Sequence, residues 1–164
     1  MTTHKTALAA TVAAIAAAAA IPVGLSGAQA SSSKTQILRI FDRPVATTLT
    51  EPNGKVTSRP PYPQPKPGDI LDVYSLDYTG NHVHHAAHWS MSAHLRCTFG
   101  TGQPDCESHI ATGGSLLIFH GNKLEAGTGL YRGASGRVLS NQEVPGGADA
   151  SDVVAQIHRS RAPR

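Results

Sequence analysis

The chain has 164 residues, with 14 Lys and Arg against 11 Asp and Glu and a net charge of +3. These charges are scattered without a block of either sign, which argues against nucleic acid as a partner, because phosphate binding needs a clustered basic face.

A short polar start with one lysine, Lys5, leads into an apolar run from Ala7 to Leu25 built mostly of alanine, valine and isoleucine. The run ends in Ala28-Gln29-Ala30 before Ser31, the small-residue layout that a signal peptidase recognises. This predicts a signal peptide over residues 1–30 and a secreted mature chain. Removing 30 of 164 residues leaves 134, a length at which one domain buries about two thirds of its unfolded surface, so a single domain is expected over 31–164. A retained anchor is the alternative, weakened by Pro22, Gly24 and the lack of stop-transfer charges. No later segment is long and apolar enough to span a bilayer, so no membrane partner is expected once the leader is removed.

Beyond Ser31 the legible periodicity is two, and no window shows a helical stripe. Strands are predicted at Thr35 to Asp42, Asp69 to Tyr78, His88 to Phe99, His109 to Thr112, Ser115 to His120, Arg137 to Val144 and Asp152 to His158. Turn residues separate them at Asn53-Gly54, Thr79-Gly80-Asn81, Gly113-Gly114, Gly121-Asn122 and Pro145-Gly146-Gly147. The proline-rich stretch at 59–67 cannot donate to a ladder and reads as a stiff surface connector. A docking ligand for a proline-reading module is the functional alternative for it.

The segment from His88 to Phe99 is the clearest. Trp89, Met91, Ala93, Leu95, Cys97 and Phe99 make one apolar face, while His88, Ser90, Ser92, His94, Arg96 and Thr98 make a polar one. Trp89, Met91 and Leu95, with Phe119 on a later strand, are the expected ligand-contacting side chains. Short strands, glycine-rich turns and the absence of covering helices leave an all-β sandwich or barrel. Cys97 and Cys106, with a Gly- and Pro-containing turn between them, read as a disulfide in an oxidising compartment. Two separate buried thiols are the alternative.

The stretch Glu125-Ala126-Gly127-Thr128-Gly129-Leu130-Tyr131-Arg132-Gly133-Ala134-Ser135-Gly136-Arg137-Val138 resembles the glycine-rich signature of the allene oxide cyclase and dirigent barrel superfamily. The resemblance implies a small antiparallel eight-stranded β-barrel with a mainly apolar cavity, often assembled as a homo-oligomer. Plant members of that group close a ring on an unstable epoxide or orient radicals made by another enzyme. An isomerase- or cyclase-like activity acting by confinement is therefore the enzymatic reading, with a small hydrophobic molecule as ligand and no cofactor. The glycines themselves have a structural explanation, since they let strands turn barrel corners.

Two sets of residues are candidates for chemistry. In Ile70-Leu71-Asp72-Val73-Tyr74, the more apolar face of the strand carries Asp72 beside Tyr74, and a buried carboxyl must be paired, protonated or functional. Asp72 is thus a candidate general acid with Tyr74 as hydrogen-bond donor, and Glu125 is a further catalytic candidate at a strand end. A rim position, or a structural pair of Asp72 with Arg132 or Arg96, is the competing reading. Separately, His82, His84, His88 and His94 share a parity and are a candidate zinc or copper set on a non-enzymatic interaction face. Ligands at i and i+2 on one strand stand about 6.6 Å apart, so one ion would need a bend or a second strand.

Overall fold

A computed structural model describes residues 34–146 and 149–159; the expected signal peptide at 1–30 lies outside them. Nine strands follow one another: β1 (Lys34–Thr50), β2 (Val56–Thr57), β3 (Ile70–Thr79), β4 (Met91–Thr98), β5 (Asp105–Thr112), β6 (Ser115–His120), β7 (Lys123–Gly127), β8 (Ser135–Glu143) and β9 (Ser151–Arg159). All neighbours pair antiparallel, and β1 pairs with β9 as well as β3. The sheet therefore closes into an eight-stranded barrel, with β2 a two-residue addition to the end of β1. Closure leaves the barrel strands no free edge, which is how an antiparallel sheet of this length avoids edge-to-edge association.

Several boundaries differ from those read in the sequence. β1 runs on to Thr50 through Pro44, where a register shift between Pro44 and Ala46 absorbs the residue that cannot donate. Lys34 to Asp42 pair with β9 and Ile40 to Thr50 with β3, so Ile40 to Asp42 are bonded on both sides. β5 starts four residues earlier than expected, at Asp105, because Cys106 sits directly opposite Cys97 in the ladder and is bonded to it. β7 is a further strand of only five residues that leads into the glycine-rich stretch. β4 begins at Met91, so Trp89 falls in the preceding loop and is 55% exposed rather than inward.

The glycine-rich segment turns the chain by close approach. A methyl group at Gly136 would stand 2.3 Å from the Gln156 backbone oxygen, and one at Gly127 would stand 2.3 Å from that of Tyr131. Between them Gly129–Tyr131 forms a single 3-10 turn that buries Tyr131. Tyr131 joins Leu117, Phe119, Leu124, Ala134, Ala155 and Ile157 in the packed core, with Leu38, Ile110 and Val138 against it. Apolar filling is thus concentrated among β6 to β9, and the barrel keeps open space beside it.

Candidate functional site

That space forms two adjoining cavities with shared wall residues. The inner one, about 160 Å³, is lined by Ile40, Val73, Ala93, Leu95, Ile110 and Phe119 among others, and by Asp42 and Asp77. The outer one, about 860 Å³, lies between the barrel mouth and Tyr62 to Pro65 of the proline-rich connector. Asp42, Val73, Leu95, Asn141 and Ser151 line both, so the lumen opens into the space beneath the connector.

The connector is held in place as a roof. The Tyr62 hydroxyl donates to the Thr47 carbonyl at 3.3 Å. At the far end, the Lys66 amide donates to the buried Asp69 carboxylate at 2.7 Å and the Gly68 amide to the Phe99 carbonyl at 2.7 Å. Prolines keep the span between these ties extended.

The chemistry inside comes from one lateral row of the barrel. Asp77 of β3 lies opposite Asp42 of β1, Asp42 opposite Ser151 of β9, and Ser151 opposite Glu143 of β8. Asp77 is 2% exposed, Asp42 half-buried and Glu143 exposed, so the row leads from the lumen to the mouth. Burial first, then the hydrogen bond to Asp42 and the Asp42 charge, together push the Asp77 carboxyl up to about 8. Two carboxyls sharing one desolvated site hold a proton between them, because both cannot ionise there cheaply. Asp77 Oδ1 has no hydrogen-bond partner among the described residues. The pair therefore places a proton, and a buried carboxyl oxygen without a donor, at the wall of the inner cavity.

Asp72 and Tyr74 lie elsewhere. On β3 the inward residues are Leu71, Val73, Ser75 and Asp77, so Asp72 and Tyr74 point outward. Asp72 Oδ1 is 2.9 Å from His94 Nε2 and 3.7 Å from Arg96 Nη1, and the Tyr74 ring stacks on His94 at 4.4 Å. The expected inward face of β3 is corrected for a physical reason: its apolar outer side chains have cover of their own. Tyr78 packs against the rings of Phe41 and His85, the latter brought over by the loop after β3. Glu125 is exposed on β7. Of the expected ligand-contacting set, Met91 is buried, Leu95 lines both cavities and Phe119 lines the lumen, while Trp89 is outside it.

The four histidines are not brought together. His82, His84 and His88 lie exposed in the loop before β4, with His82 Nδ1 2.5 Å from Asp152 Oδ2, and His94 is on the outer barrel wall with Asp72. Among the described residues, no group of three His, Cys, Asp or Glu converges to hold a metal ion.

Sequence reasoning missed the Asp42–Asp77 pair. The signal was present, since Asp77 alternates in phase with Leu71, Val73 and Ser75, but it was outweighed by the aromatic residues of the opposite face.

Fold and site together define a closed antiparallel barrel with a roofed, acid-lined lumen. No protein-family model matches the chain, and no curated protein or solved structure does either.

Proposed function

We propose that this is a secreted barrel that binds a small, largely apolar molecule in its lumen, oriented by the Asp42–Asp77 pair. The observation that carries the reading is a roofed outer cavity that shares five wall residues with a largely apolar inner one, which is lined at its base by a buried carboxyl whose Oδ1 lacks a hydrogen-bond partner among the described residues. An inner space of about 160 Å³ is the size that accepts a benzene-like group when lined by Leu, Ile and Phe. Buried polar groups within an otherwise apolar pocket are what fix a ligand's orientation. The Cys97–Cys106 bond supports an oxidising compartment, as does the export-type layout of residues 1–30. The resemblance to the cyclase and dirigent barrels supports confinement of the ligand as the route to any isomerisation or cyclisation, as a fold-level analogy.

Fluorescence titration with an environment-sensitive apolar dye tests this. Wild type binds the dye with enhancement, Leu95→Trp abolishes binding by filling the shared wall, and the outer-face variant Asp72→Asn binds as wild type does. A folded wild type that fails to bind dye, or Leu95→Trp binding it unchanged, overturns the reading.

A further inference from the structure

The walls of both cavities share an asymmetry of charge. Asp42, Asp77, Glu143 and Asp149 line them, and no Lys, Arg or His does among the described residues. The chain as a whole is basic, with a net charge of +3. A single-sign cleft with low-dielectric walls focuses its field and draws in ligands of opposite charge. Buried deepest in that cleft is Asp77, whose Oδ1 lacks a donor among the described residues.

We propose that the lumen selects a small hydrophobic organic cation, an amine whose ammonium is held at the Asp42–Asp77 pair while its apolar body lies against Val73, Leu95, Ile110 and Phe119. This rests on the ligand-holding reading above and names the class of ligand.

An ammonium meets each demand of the site together. It donates up to three hydrogen bonds, which satisfies Asp77 Oδ1 and leaves donors for Asp42. Its charge offsets the repulsion between the two carboxyls, and a charge-assisted bond in a desolvated site is stronger than a neutral one. A neutral alcohol supplies a donor but no charge. An anion meets only carboxyls. A divalent metal ion is a poorer occupant, since no three ligand groups converge on one point among the described residues.

The test uses three probes of one size, 2-phenylethylamine, 2-phenylethanol and phenylacetate, titrated calorimetrically into the folded protein near pH 8. The amine binds at least tenfold more tightly than the alcohol, and phenylacetate binds most weakly. Asp42→Asn/Asp77→Asn retains alcohol binding and loses the tenfold preference, and the single Asp42→Asn shows a partial loss should the double variant not fold. An amine no tighter than the alcohol, or a preference that survives Asp42→Asn unchanged, overturns the cation assignment. Dye binding in that same protein leaves the ligand-holding reading standing, whereas failure of the dye and all three probes overturns both.

Discussion

Replacing Asp77 by Asn keeps the side chain's shape and removes its titration, which isolates the energetic consequence of placing a carboxyl in the lumen. Well below pH 4 the carboxyl is protonated in folded and unfolded chains alike. As pH rises from there, the unfolded chain releases the proton while the folded one retains it up to about 8. The folded state then binds more protons, so stability falls with pH, by about 1.4 kcal/mol per pH unit where the difference is a full proton. A rise from 3.8 to about 8 corresponds to a total on the order of 5 kcal/mol. Urea denaturation of the oxidised protein, followed by far-ultraviolet circular dichroism between about pH 5 and pH 9, reads the effect. Asn donates to Asp42 much as a protonated carboxyl does, so the variant matches wild type at low pH and leads it by only about 1 to 2 kcal/mol near pH 5. By pH 9 it is the more stable protein by several kcal/mol. Subtracting the two curves cancels the histidines, which are common to both. A difference that stays flat across this range would refute the buried, protonated Asp77.

Three further expectations concern the same framework. Asp42→Asn removes the neighbouring charge and lowers the Asp77 midpoint, yet leaves it above 4 because burial is the larger cause; a carboxyl-carbon NMR titration follows it directly. Substituting both Cys97 and Cys106 by Ser opens a loop with eight intervening residues and lowers stability by roughly 2 to 3 kcal/mol, measured by equilibrium denaturation against the oxidised parent. Gly136→Ala drives a methyl group into the Gln156 backbone at 2.3 Å, which forces β8 from β9 and is expected to lower stability by about 1 to 3 kcal/mol in thermal unfolding.

The barrel was legible where a strand has one uniform face. On β4 every inward residue is apolar and every outward one polar, so Met91, Leu95 and His94 could be assigned to their sides. β7 gave no comparable signal, because five residues interrupted by a register shift opposite Ile118 and Phe119 cannot display a period. The start of β5 was hidden for another reason: Asp105 and Glu107 look like loop residues until the Cys97–Cys106 contact fixes them in the ladder.

The acid pair lay beyond the sequence because it depends on register, and a one-residue slip turns a strand inside out. Asp42 meets Asp77 only because β1 pairs with β3 in one phase up to Pro44 and another from Ala46. On β3 the aromatic residues Tyr74 and Tyr78 made the outer face look like the inner one, since hydrophobicity reports burial against anything, including His85 and Phe41. A barrel interior that needed only to be filled would carry apolar side chains at 42 and 77, because replacing buried charged groups with well-packed apolar ones is often neutral or stabilising. Here the row from Asp77 through Asp42 and Ser151 to Glu143 is polar at each step and leads outward beneath the roof. That continuity, in a cavity without a basic residue among the described ones, points to a route for a charged donor to enter the lumen and reach the buried carboxyl.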